Sequence, residues 1–440
     1  MRIFINILLI TMAYLSTSSH ADNISPSNQA PKDALQLSEA DLQQNPALLE
    51  MFLVQAIEQN RIDDIRLLST LLVSDNIINP VIYHYSLGLL AMQDGSYKQA
   101  ITHFENILHV HPEYNQVSLL LMQALTFDKQ YTRAERILAK LLADPTIHNP
   151  DFKHSLIQDK KFINKQQAWQ LSMNGGLLHD TNINNAPKLT NYQGWQLSTP
   201  ITAYGAQATF LANKTDNFYK NLSFQSQATL NIKYYNKHQF DDIHALIGGG
   251  IIYQDSQTTI GTTPFYQKRW YATKPYSDSL GVQFWYQHQS NPKTMLGFFG
   301  TASQIKHQER TFLDGNSFNF STGIYKPNHW ISINHHTQNT QEPSESYQDY
   351  GVAFGVSHSW QPLHLTHHFG INHRSYDGDD IFNIKRQDWR YHTSHQIKHK
   401  RINFRGYTPS LNIDYERVDS NHFAFDTEDV SMNVEIHKQF

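Results

Sequence analysis

From Ala168 to the end of the chain, apolar residues recur at every second position, and this period limits the fold more than any other feature. In the last ten residues Met432, Val434, Ile436 and Phe440 fall on one face, while Ser431, Asn433, Glu435, His437 and Gln439 fall on the other. Strands with one apolar and one polar face build either a soluble sandwich, whose apolar face meets a second sheet, or a membrane barrel, whose apolar face meets lipid around a wet interior. Composition favours the barrel. Charged residues make 17% of the chain, below the ~25% usual for soluble domains. The chain nonetheless carries 24 Phe, 23 Tyr and 7 Trp at a polar mean hydropathy of −0.53. A sandwich explains neither this aromatic content nor the export signal described below.

Fourteen alternating segments are expected, centred near residues 174, 206, 228, 248, 268, 285, 299, 320, 333, 354, 367, 393, 409 and 435. The connections at 290–294, 326–329, 360–362 and 398–401 read as short. Those interleaved with them, at 306–316, 338–347, 375–387 and 418–429, read as long. Bacterial barrels have short periplasmic turns, long extracellular loops and an even strand number that returns both ends to the periplasm. The 273 residues from Ala168 to Phe440 give about 19.5 per strand with its connection, which suits membrane strands of ~10 residues. Twelve or sixteen strands are also compatible with the spacing.

The first residues read as an export signal: a positive start at Met1-Arg2, an apolar stretch from Ile3 to Leu15, and small residues at Ser19 and Ala21 that place cleavage after Ala21. The apolar stretch, about 13 residues, is too short for a bilayer core that needs ~20. Residues 22–44, rich in polar residues and containing Pro26 and Pro31, read as a linker. Residues 45–150 read as helical. In the unit starting at Val81, the residues Leu87, Gly88, Tyr97, Ala100, Phe104 and Pro112 sit at the offsets of a 34-residue tetratricopeptide repeat. Leu87-Gly88 supplies the small contact site of the first helix, Ala100 and Phe104 face it from the second, and Pro112 ends the second helix. A second unit from Asn115 keeps Leu121, Tyr131, Ala134, Leu138 and Pro145, and a degenerate pair precedes both, with Leu53, Ile57, Ile62, Ile65 and Leu68 at helical spacing. The fold class expected is therefore α plus membrane β: helical repeats, then a transmembrane antiparallel barrel from 168 to 440. An ordinary helical bundle is the alternative for the first part.

Several functions fall away on chemistry. Without Cys, neither a disulfide framework nor a thiolate metal site is available. With 35 Lys and Arg against 39 Asp and Glu there is no basic excess to neutralise phosphates, so no nucleic-acid partner is expected. No nucleophile–base pair or paired carboxylate stands out from the alternation, so no catalytic residues, cofactor or enzyme activity are expected. The chain has 25 His, but His335 and His336, like His367 and His368, are strand neighbours that point to opposite faces and cannot chelate one ion. No metal site is expected.

The run Asp180-Thr181-Asn182-Ile183-Asn184-Asn185-Ala186-Pro187 after the first strand resembles a motif of the surface lipoprotein assembly modulator (Slam) family. The C-terminal part strengthens the likeness: Arg386-Gln387-Asp388-Trp389-Arg390, then Gly406, Pro409, Leu411, Tyr415, Arg417 and Ser420-Asn421, closing on Lys438-Gln439-Phe440. At Thr181 and Trp389, where further charged residues are expected, the chain departs. The resemblance implies an outer-membrane translocon that helps deliver specific lipoproteins, or related soluble haem-binding proteins, from the periplasm to the cell surface. Its expected partners are that client, outer-membrane lipid and the barrel assembly machinery, with periplasmic chaperones as further candidates. Asn182, Asn184, Asn185, Ala186 and Pro187 then guide or gate the pore, or else form only a loop of good turn formers. Phe440 is the expected assembly signal. A polysaccharide export porin with periplasmic helical repeats is the alternative, although a charged-glycan pore needs a single-sign lumen.

Overall fold

The computed structural model describes residues 38–72, 78–399, 401–402 and 407–439. The expected signal peptide, residues 22–37 of the expected linker, Gly406 and Phe440 lie outside the described residues. The chain divides into two compact units, one up to Asn79 and one from Pro80 to Phe440.

The first unit contains α1 (Glu39–Gln44), α2 (Pro46–Glu58) and α3 (Ile62–Thr70). Helix α1 falls in the stretch expected to be linker. It forms because Ser38 and Asp41 make a reciprocal capping box, the Ser38 hydroxyl accepting from the Asp41 N–H and the Asp41 carboxylate from the Ser38 N–H. Asn45 caps α2 through the Leu48 N–H, with Pro46 at the first helical position. Leu49, Leu53, Ala56, Ile65 and Leu68 are buried.

The second unit opens with α4 (Pro80–Gln93), α5 (Tyr97–Val110), α6 (Asn115–Phe127), α7 (Tyr131–Ala143) and α8 (Pro150–Gln167). Their core runs from Ala91, Ala100, Phe104 and Ile107 through Leu121, Leu125, Ala134 and Leu138 to Leu156 and Ile163. At the centre of the first repeat unit a Cβ at Gly88 would overlap the Phe104 ring. Ala100, Phe104 and Ala134 are fully buried, Leu87 and Tyr97 are half-buried, and Pro112 is exposed just past the end of α5. Helix α8 was not anticipated. It buries Leu156 and Ile163 on the preceding pair, covering an apolar end that a repeat array must cap.

Fourteen strands follow: β1 (Gln170–Asp180), β4 (Ala203–Tyr219), β5 (Leu222–Tyr235), β6 (Asp242–Gln254), β7 (Thr258–Tyr271), β8 (Lys274–Asn291), β9 (Thr294–His307), β10 (Gly315–Lys326), β11 (His329–Thr340), β12 (Tyr347–Trp360), β13 (Leu363–Asp379), β14 (Lys385–His399), β15 (Thr408–Ser420) and β16 (Thr427–Gln439). A separate two-stranded ribbon, β2 (Asn191–Tyr192) with β3 (Trp195–Gln196), lies in the connection after β1. Each barrel strand pairs antiparallel with its neighbours, and β1 pairs with β16 to close a fourteen-stranded barrel. All fourteen expected centres fall inside these strands. No described helix is long and apolar enough to cross a membrane.

Paired residues share a face and neighbours alternate, so the registers assign every side chain to one wall. Leu177, Phe210, Ile247, Leu280, Ile331, Val352 and Val434 form one set and are exposed. The other set faces inward: Gln227 of β5 donates to Gln283 of β8 at 2.8 Å across two intervening strands, a reach available only on the concave side.

Candidate functional site

The inner wall is lined by neutral amides and self-cancelling charges. Asn412 of β15 accepts from Gln396 at 2.8 Å and donates to Asn433 at 2.5 Å, linking three strands. Thr209 bonds Asn231 at 2.9 Å. Towards the long-loop end the charges pair: Arg374 donates to Asp349 at 2.9 Å with its guanidinium 3.9 Å from the centre of the Tyr347 ring, and Arg386 donates to Asp388 at 2.8 Å. Asp349 and Asp388 are buried. A buried carboxylate keeps its charge only with such partners, and the paired result is a wall without a dominant sign.

At the short-turn end the helices are fastened to the barrel. The α6–α7 corner, with Lys129 in the left-handed region at φ 61°, sits on the β4–β5 turn. Asn221 of that turn donates from its amide to the Asp128 carbonyl at 2.6 Å, the Asp128 carboxylate at 3.1 Å and the Gln254 carbonyl at 2.8 Å. The Thr132 N–H donates to Asn217 at 3.0 Å, and the Thr132 hydroxyl donates to the Asn217 carbonyl. Beside it, Lys98 of α5 donates to Asp255 at 2.6 Å and to the Tyr253 hydroxyl at 2.8 Å. Burial alone would raise the Asp255 carboxyl, but Lys98, Tyr253 and the Gln257 and Thr258 N–H groups together hold it at about 2. Asp128 is raised by burial.

These bonds carry a prediction. Asn221→Ala strands the Asp128 and Gln254 carbonyls, about 1–3 kcal/mol for each unsatisfied group, and should speed hydrogen exchange at residues 128–132 at least tenfold while the strand amides keep their protection. The depressed Asp255 pKa means its share of the docking is complete above an ordinary carboxyl pKa of ~4 and disappears as pH falls towards 2. Exchange should therefore be flat from pH 7 to about 5, once intrinsic rates are divided out, and rise below that.

The Asn-rich run sits at the opposite end, over the β1–β16 closure. Asn182 is buried; its amide donates to the Ala186 carbonyl at 2.9 Å and to the Glu428 carbonyl at 3.2 Å, and accepts from the Ala186 N–H at 2.8 Å. Asp429 at the start of β16 accepts from the Thr181 hydroxyl at 2.8 Å and the Asn182 N–H at 3.0 Å, and Thr181 in turn accepts from the Val430 N–H at 3.1 Å. Asn184 ties down the far end of the loop through the Thr199 carbonyl at 3.0 Å and the Ile201 N–H at 2.8 Å. Asn185 is exposed and takes the left-handed turn position at φ 48°; Ala186 and Pro187 are buried beneath it. Lys188 bonds Glu428 at 2.7 Å, and the Tyr192 ring of β2 stacks on Phe423 with centroids 3.8 Å apart. The motif is thus a clasp between the first and last strands. Asn182→Ala should lower the temperature at which the purified barrel loses its compact electrophoretic mobility by several degrees, whereas Asn185→Gly should leave it unchanged.

The family model for the surface lipoprotein assembly modifier matches residues 169–440, and the model for its N-terminal tetratricopeptide repeats matches residues 35–138. The chain belongs to the surface lipoprotein assembly modifier family. Members similar to it include a surface lipoprotein assembly modifier of Haemophilus influenzae strain 86-028NP, 26% identical over 98% of this chain and 91% of that protein. Another, from Moraxella catarrhalis, is 27% identical over 93% and 83%. The hemophilin secretion modulator of Acinetobacter baumannii is 21% identical over 94% and 90%. The two matched regions thus coincide with the barrel and with most of the helices seen here.

The remaining sequence candidates separate cleanly. Gly88, Ala100, Phe104 and Ala134 converge in the helical core, and the Asn run converges on β16. The histidine neighbours diverge as expected: His335 stacks outward on Tyr350 while His336 turns inward to Ser317, and His367 meets His395 while His368 abuts the Trp330 ring. Among the described residues no group of three side chains able to hold a metal occurs. The docking residues Lys98, Asp128, Asn217, Asn221 and Asp255 were missed. For Asp128, Asn221 and Asp255 the trace in the sequence is an amide or carboxylate at a tight turn, where a side chain is free to reach a neighbouring body; Lys98 in a helix and Asn217 in a strand leave none.

Proposed function

We infer that this protein is an outer-membrane translocon that delivers specific lipoproteins, or related haem-binding proteins, from the periplasm to the cell surface. The observation that carries the reading is a whole-chain family match laid on a two-part machine: a repeat array bolted to one mouth of a polar barrel. Short turns and both barrel termini share the end that bears the helices, which is the periplasmic end of bacterial barrels. A client bound by the repeats is therefore presented at the entrance. Fourteen strands make a barrel wider than the side-chain-filled eight-stranded class and narrower than open porins, a size for an extended polypeptide. The periplasm holds no ATP, so direction comes from binding below and folding above. The role is one of translocation and not of catalysis. Barrel assembly machinery acting on the strand that ends at Phe440, and chaperones feeding the repeats, complete the partners.

A lipoprotein client brings two chemistries at once. Its polypeptide suits an amide-lined channel, while its acyl chains favour lipid by about 0.8 kcal/mol per CH₂. The deciding experiment co-expresses candidate lipoproteins with and without this chain and measures their surface exposure by antibody and by protease shaving. A particular lipoprotein should rise at the surface at least tenfold while extracellular polysaccharide stays constant. A change in polysaccharide with unaltered protein display would turn the reading into that of a glycan exporter.

A further inference from the structure

We propose that the β1–β16 closure is a lateral gate, through which the acyl chains of a client stay in the membrane while its polypeptide crosses the lumen. The proposal rests on the lipoprotein reading above. Topology singles the place out: every other neighbouring pair in the barrel is joined by a chain connection at one end, so only β1 and β16 can part along their whole length. Among the described residues theirs is also the shortest ladder, running from Ser172 opposite Gln439 to Asp180 opposite Ser431.

The strands there are held by breakable bonds. Gly175 and Gly176 occupy the middle of β1, and glycine in a strand interior weakens it because no side chain packs across the ladder. Gly176 fits its place only because it lacks a Cβ, which would strike the Val434 carbonyl. Over that gap Gln207 of β4 reaches past β1 to Glu435 of β16 at 2.5 Å, a polar strap on the inner wall. At the long-loop end the Thr181 and Asn182 bonds to Asp429, the Lys188 pair with Glu428 and the Tyr192–Phe423 stack all cross this same closure. Hydrogen bonds, and the ion pairs of Lys188 with Glu428 and Asp426, can be traded one for one for bonds to solvent or to an incoming chain. The arrangement is a latch at the surface end of a seam with a weak middle. The inner wall, lined by amides and paired charges, offers acyl chains no place.

The chain contains no cysteine, so an added pair gives one unambiguous cross-link. Leu177→Cys with Val434→Cys joins two directly opposed, outward-facing residues of the seam, and Leu280→Cys with Gln304→Cys does the same across β8 and β9 as a control. Each oxidised protein is tested with a lipoprotein that the unmodified chain displays, and with a version of that client lacking its acylated cysteine. The seam lock should cut display of the acylated client at least tenfold, reversibly with reductant, and leave export of the non-acylated client within twofold. The control lock should change neither. Normal display of the acylated client through a fully cross-linked seam would overturn the proposal, as would equal loss of both clients. If the unmodified chain displays no lipoprotein at all, the functional reading fails first, and the gate falls with it.

Discussion

Cutting the chain after Asn433 removes the protein from the outer membrane. The deleted residues form the ladder that sets Leu177 opposite Val434, Gly176 opposite Glu435 and Ser172 opposite Gln439, and on the other side Leu411 opposite Val434 and Pro409 opposite Ile436. Their loss leaves two rows of unpaired N–H and C=O groups in hydrocarbon, each costing several kcal/mol. The stub from Thr427 to Asn433 can pair with β1 only from Leu178 to Asp180, so the seam stays open over most of its length. The truncated protein should fall at least tenfold in outer-membrane fractions and lose its heat-dependent shift in electrophoretic mobility. Phe440→Ala keeps the ladder and tests the terminal aromatic alone; a smaller loss, with normal mobility in what remains, is expected. Normal levels of compact truncated protein would contradict the barrel closure.

Ala100→Asp abolishes delivery without touching the barrel. Ala100 is fully enclosed in the core shared by α4 to α8, and an unpaired carboxyl there costs several kcal/mol even if it takes up a proton. A repeat array transmits such a defect to its neighbours because each pair is stable only against the next. Gly88→Asp should act alike, since any Cβ at that position overlaps the Phe104 ring. Surface display should drop more than tenfold, the helices should become protease-sensitive, and the barrel should still shift on heating. Full display by a protein whose helices are shown to be unfolded would make the repeats dispensable.

The barrel was readable because lipid and water impose opposite demands on alternate side chains, and that demand persists through every strand. Its edges were less so. The connection expected at 375–387 shrinks to residues 380–384, because β13 and β14 continue their ladder above the lipid, where Arg374 pairs with Asp349, and Arg386 pairs with Asp388 and lies over the Tyr376 ring. The two-residue turn at Ala272-Thr273 belongs to the long-loop end despite its length, with both residues at positive φ. Helix α8 escaped notice because only Leu156 and Ile163 are buried in eighteen residues otherwise rich in Lys, Gln and Asp. The Asn run announced a turn through its composition; what it binds, Glu428 and Asp429, lies some 245 positions away in the chain and leaves no mark on local spacing.

The amide wall described above has a consequence for motion. A polypeptide presents one peptide amide about every 3.3 Å when extended, and Gln227, Gln283, Asn231, Asn412 and Asn433 present the same chemical group back to it. On the translocon reading, each step forward along these residues trades one amide–amide bond for an equivalent one, so the amide part of the wall holds no particular sequence. Charged or apolar linings would dig wells at particular sequences and stall the chain there. On that same reading, a surface of this kind has low friction and little preference, and the choice of client falls to the helices at the entrance.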